Sequence, residues 1–112
     1  MQDVLAQSLT LPCGAIISNR IAKAAMTEGL ASPAGVPTAE LERLYGLWSD
    51  GGAGLLLSGN ILIDGMHLER PGNVVIERQP DAAMHTALSR WATAATRNGN
   101  HCWAQISHAG RQ

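Results

Sequence analysis

Apolar residues along this chain follow two alternating periods, one helical and one extended. From position 38 to 50, Leu41, Leu44, Tyr45 and Trp48 keep the i, i+3, i+4, i+7 spacing of a helix with one buried face. Thr38 is placed to cap its first-turn amides, and Glu40 and Glu42 set negative charge against the positive end of the helix dipole. Gly51-Gly52 ends it, because glycine accepts left-handed backbone. A second stripe, Met84, Leu88, Trp91 and Ala95, follows the capping residue Asp81 and stops at Asn98-Gly99. Between the stripes, Ala53 to Ser58 is almost continuously apolar, which suits a parallel strand buried on both faces. Cys102 to Ile106 reads as another strand. Asn19 to Gly29 reads as a short strand running out into a small, polar turn.

The predicted order is therefore strand, helix, strand, helix, strand. Repeated βα units with short turns imply an α/β fold with a parallel sheet and right-handed crossovers. Ahead of them, Leu9, Leu11, Ile16 and Ile17 flank the break Pro12-Cys13-Gly14 and predict a hairpin. Ala31 to Pro37 is loop by composition. Ser58-Gly59-Asn60 is expected just past the second strand, and 61–80 as a loop of about 20 residues, long enough to serve an active site.

Composition narrows the possibilities. The chain's 112 residues have room for one small domain and a modest core. A net charge of −1 with no basic stripe argues against a nucleic-acid partner. Cys13 and Cys102 form neither a metal-ligand spacing nor a secreted disulfide pattern, which fits a reducing cytoplasm. The first twelve residues lack the features of a signal peptide, and no window reaches the roughly 18 apolar residues of a membrane span.

All three strands end in small or polar residues, the edge where parallel α/β folds bind ligands. Solvated strand ends look much the same, so this pattern alone names no ligand. His67, His85, His101 and His108 show no ligand spacing, and no metal site is expected. Lys23 invites comparison with a Schiff-base lysine on a barrel strand, against the plainer reading of a charge-paired or snorkelling side chain. Asp64, Glu69 and Arg70 read as solvated loop charges. Gly51-Gly52-Ala53-Gly54 precedes a strand, the wrong order for a phosphate-cradling loop.

Two stretches carry a resemblance to a known family. Asn19-Arg20-Ile21 leading through small residues to Met26-Thr27, and Gln105-Ile106-Ser107-His108-Ala109-Gly110-Arg111, resemble the first and third barrel strands of the Old Yellow Enzyme family of FMN-dependent ene-reductases. The second stretch is the more specific, against a family pattern Gln-Leu-x-His-x-Gly-Arg. The resemblance implies a TIM barrel, of which residues 1–112 are an incomplete N-terminal part holding the first three βα strands behind a hairpin. A whole barrel takes about 250 residues.

It also implies FMN as cofactor, NAD(P)H as electron donor and hydride transfer to a small activated alkene or enoyl substrate. By match, Ala25, Met26 and Thr27 lie against the flavin, with Ala25 where the family more often has proline. Asn60 sits beside the pyrimidine and resembles the branch with dienoyl-CoA reductases and amine dehydrogenases. Gln105 offers a donor and an acceptor to the pyrimidine edge. The family's substrate-binding pair comes later in sequence, so catalytic residues stay unassigned and His108 is expected to be structural. Arg111 either anchors its loop or faces solvent. The expected partner is the remainder of the barrel or a second copy. The rival readings are a non-flavin barrel enzyme such as a Lys23-dependent aldolase, and a truncated, non-enzymatic βα module.

Overall fold

A computed structural model describes residues 3–111. Met1, Gln2 and Gln112, which closes the strand-end stretch, lie outside the described residues. A 3-10 turn at Val4–Ala6 leads into an antiparallel hairpin of β1 (Leu9–Thr10) and β2 (Ile16–Ile17), with Leu9 opposite Ile17. The rest is β3 (Ala22–Lys23), α1 (Ala39–Asp50), β4 (Leu55–Leu62), β5 (Val74–Val75), α2 (Ala82–Ala95) and β6 (His101–Ser107). The main sheet is parallel. β4 is its centre, with β3 and β5 against different stretches of it and β6 also paired to it. The expected α/β alternation is present, and the sheet is not closed on itself.

Both helices start where their capping residues stand. Thr38 accepts the Leu41 amide and Asp81 accepts the Met84 amide. Their apolar stripes meet one face of the sheet in a core of Leu41, Tyr45, Leu56, Ile61, Val74, Trp91 and Ala95. Tyr45 is edge-on to Trp48 at 5.0 Å and to Trp91 at 5.3 Å. A polar knot secures the far end of the helix pair. Ser49 Oγ donates to buried Asn100 Oδ1 at 2.5 Å, and Asp50 pairs with the Arg97 guanidinium.

Three expectations about the strands are corrected. The first strand pairs with β4 only at Ala22 and Lys23, and the chain beyond it continues without a regular ladder. The second strand does not end at Ser58. It runs to Leu62, so Ser58-Gly59-Asn60 lies inside it. The 61–80 segment is not loop throughout, because β5 pairs with Ile61 and Leu62. A bulge underlies the second correction. Leu57 faces Trp103 and Asn60 faces Gln105, so Ser58 and Gly59 together oppose the single residue Ala104. The Ser58 hydroxyl accepts the Gln105 amide at 2.9 Å, in place of a ladder bond.

Beyond the bulge the alternation of faces shifts by one residue. Leu56, Ser58 and Ile61 turn toward the helices, while Leu57, Asn60 and Leu62 share the other, inner face with Trp103 and Gln105. Trp103 on the inner face and Ile106 on the helix face are 42% and 60% exposed, so β6 is the least covered strand of the sheet. An apolar hollow of 250 Å³ runs beside it, lined by Leu88, Trp91, Cys102 and Ala104 among others. No helix among the described residues is long and apolar enough to cross a membrane.

Candidate functional site

The C-terminal ends of β3, β4 and β6 gather most of the residues singled out by sequence. Gln105 Nε2 donates to Asn60 Oδ1 at 2.6 Å, so the bulge in β4 joins two of them on the inner face. Met26 and Thr27 come against the same bulge. A Cβ added to Gly59 would lie 2.5 Å from the Met26 carbonyl oxygen and 2.7 Å from Thr27 Cα. Only glycine permits that approach. Met26 is exposed and Thr27 half-buried, with Ala25 half-buried one residue further back.

Two residues without an assigned role from sequence complete this corner. The Tyr45 hydroxyl donates to Glu28 Oε2, and the Gly59 amide lies 3.2 Å from the same hydroxyl and 3.4 Å from the same carboxylate oxygen. Tyr45 is fully buried, and burial foremost, then the Glu28 hydrogen bond and charge, holds its hydroxyl well above the ordinary phenol range. The Tyr45 hydroxyl is therefore the donor in its bond to Glu28. A tyrosine in a core-facing stripe was the available signal, since a buried phenol needs a hydrogen-bond partner.

Lys23 points the other way. Its ammonium lies 4.4 Å from the Trp48 ring centroid, on the helix side of the sheet, and donates to the Ala24 carbonyl at 2.8 Å. Desolvation holds its pKa below the ordinary lysine range, partly opposed by Glu28. This is a snorkelling, cation–π lysine. It does not reach the inner face, where an amine would meet a carbonyl substrate in a barrel.

The 61–80 segment is tied down, not merely solvated. Asn73 is buried, its side-chain Oδ1 accepts the Arg70 amide at 2.9 Å, and Gly72 O accepts the Ala31 amide at 2.9 Å. The same segment brings Asp64 and His67 to His108, a grouping the sequence spacing does not show. Asp64 Oδ2 is 2.7 Å from His67 Nδ1 and 3.4 Å from His108 Nε2. Asp64 lies below the usual carboxylate range, chiefly because the Met66 amide donates to it and then through His67.

Three such groups have the composition of a metal site. Their hydrogen bonding points elsewhere. The Gly110 amide donates to His108 Nδ1 at 2.9 Å, which leaves the ring proton on Nε2, aimed at Asp64. A metal-bound histidine has the opposite arrangement, with its second nitrogen donating outward. His108 thus links the end of β6 to the loop after β4. His85 is exposed on α2.

The chain matches no family model. It is 31% identical over 105 residues to the NADH-dependent flavin oxidoreductase iliE of Hypocrea jecorina, covering 93% of the chain and 26% of that protein. It is 33% identical over 109 residues to the NADH-dependent flavin oxidoreductase iccE of Talaromyces variabilis, covering 96% of the chain and 26% of the relative. A solved structure of the old yellow enzyme homologue from Zymomonas mobilis aligns with a TM-score of 0.78 at 25% identity, over 95% of this chain and 28% of that one. Morphinone reductase in complex with tetrahydroNAD shares the fold at a TM-score of 0.79 and 23% identity, over 98% of this chain and 28% of that one. The chain therefore spans about a quarter of the length of the relatives it matches.

Proposed function

We propose that this chain belongs to the Old Yellow Enzyme family and is the N-terminal part of an FMN-dependent oxidoreductase built on a TIM barrel. In this reading β3, β4 and β6 are the first three barrel strands and the β1–β2 hairpin closes the barrel floor. The single observation that carries it is the Gln105–Asn60 amide pair on the inner face, one residue from the Gly59 contact with Met26 and Thr27.

The donor set suits a flavin. With Gln105 Nε2 committed to Asn60, Gln105 Oε1 is left as an acceptor and the Asn60 amide as a donor, matching the N3–H and a carbonyl of the pyrimidine edge. Ala25 and Met26 supply backbone to the flavin face, and the Thr27 hydroxyl serves its carbonyl and N5 edge. When bound, FMN supplies hydride transfer from reduced nicotinamide to the β-carbon of a small activated alkene or enoyl substrate. This chain's residues orient the ring and tune its electronics. The phosphate anchor, the substrate-binding pair and the proton donor belong to further βα units of the barrel. Two free thiols, Cys13 and Cys102, suit a reducing cytoplasmic setting.

The test is Gln105→Leu in the full-length protein, which leaves flavin donors and acceptors unpaired at about 1–3 kcal/mol per buried group. FMN affinity measured by fluorescence quenching should fall about tenfold or more. Parent-like affinity would remove Gln105 from the site.

A further inference from the structure

We infer that Glu28 and Tyr45 are positioning residues that lock the Met26–Thr27 segment onto the Gly59 bulge, setting the separation between the two walls of the flavin site; the inference rests on the reading above. The ladder between β3 and β4 ends at the Lys23–Leu56 pair, so regular strand pairing does not hold the chain where Met26 and Thr27 stand. Another connection takes over there. Glu28 follows Thr27, and Gly59 precedes Asn60, so a bond from Glu28 to the Gly59 amide spans the two proposed flavin contacts one residue from each.

The connection is anchored in the helix layer. Tyr45 sits on α1 with no exposed surface, fixed edge-on between Trp48 and Trp91, and its hydroxyl reaches through to Glu28 and the Gly59 amide. Contact is already close, since a Cβ on Gly59 would come within 2.7 Å of Glu28 Oε1. The bulge itself decides that Asn60 faces Gln105. Holding Gly59 therefore fixes both the Asn60–Gln105 wall and the Thr27 wall. A flavin wedged between them meets donors whose placement was settled by the packing of α1, and such preorganisation raises affinity without adding a contact.

The experiment uses the full-length protein carrying Glu28→Ala, Glu28→Gln or Tyr45→Phe, with Leu41→Ala as a control that weakens the same helix core without touching the Glu28 hydrogen bonds. Three quantities are read: FMN affinity, the flavin midpoint potential and hydrogen exchange of the Gly59 amide. Glu28→Ala should weaken FMN binding about tenfold, shift the potential and speed Gly59 exchange. Tyr45→Phe should do the same to a smaller degree. Glu28→Gln, whose amide oxygen still accepts from Tyr45 and Gly59, should restore affinity toward the parent value. Leu41→Ala should lower the melting temperature while leaving affinity and potential unchanged. If Glu28→Ala keeps the parent's affinity and potential, or if Leu41→Ala reproduces its losses, the positioning role is wrong while the flavin reading stands. A parent protein that holds no flavin overturns both.

Discussion

Two carboxylates at the same end of this sheet each gather several partners, and they differ in what those side-chain partners are built into. Glu28 holds a phenol with no exposed surface and a main-chain amide inside a strand. Asp64 holds two imidazoles whose side chains are 61% and 44% exposed, with their rings tilted 5.9 Å apart. The number of contacts is similar, but the leverage is not. Around Asp64, water and salt compete for every charge, and exposed pairs of this kind contribute little. Around Glu28, loss of the carboxylate leaves a buried hydroxyl without its acceptor and the Gly59 amide with the Tyr45 oxygen alone. Both carboxylates are half-buried; Glu28 fixes geometry through buried partners, while Asp64 tethers a loop through exposed ones.

Substitutions at the two corners separate these roles. The largest effect is expected for Gly59→Ala, because the new methyl would meet main-chain atoms of Met26 and Thr27 that cannot swing aside. A loss of about 3 kcal/mol, read by denaturant unfolding of the full-length protein, would fit; a neutral outcome would mean that the two backbones are not in contact. Tyr45→Phe comes next. It removes one hydroxyl but leaves the ring packing, so about 1–2 kcal/mol is expected from the same measurement.

Asp64→Asn should be the smallest, with a neutral-pH midpoint close to the parent's. Its signature lies in acid. A carboxyl whose pKa is depressed by folding contributes fully above the unfolded aspartate value of about 3.9 and loses that contribution as pH falls through the lower folded value. Parent stability should thus decline over that acid range more steeply than that of Asp64→Asn. If the neutral-pH cost of Asp64→Asn equals that of Gly59→Ala, the contrast between the two corners collapses.

The helices were legible because their signals are local. Thr38 and Asp81 announce the starts, and four-residue stripes show the buried faces. The length of β4 was not legible, since Ser58-Gly59-Asn60 reads as turn chemistry, and only pairing with β6 keeps it extended. β5 escaped notice because a two-residue strand has no period to detect. Asn60 and Gln105 came from resemblance to a family, and no spacing rule could have joined residues 45 positions apart. Tyr45 was recognised as core, yet the destination of its hydroxyl depends on a fold that no local pattern contains. Asp64 and His67 lie three apart, but His108 joins them only through the sheet.

The extra residue in β4 acts as a switch of parity. If Ser58 and Gly59 were instead each paired with a residue of their own, the ladder between β4 and β6 would run regularly, and by local pairing rules that is the better strand. That register would put Gly59 opposite Gln105 and Asn60 opposite Ile106, turning Asn60 toward Trp91 and the helix core. A flawless sheet and a usable inner face are therefore mutually exclusive for this sequence, and the defect at Ser58-Gly59 marks which of the two the chain specifies.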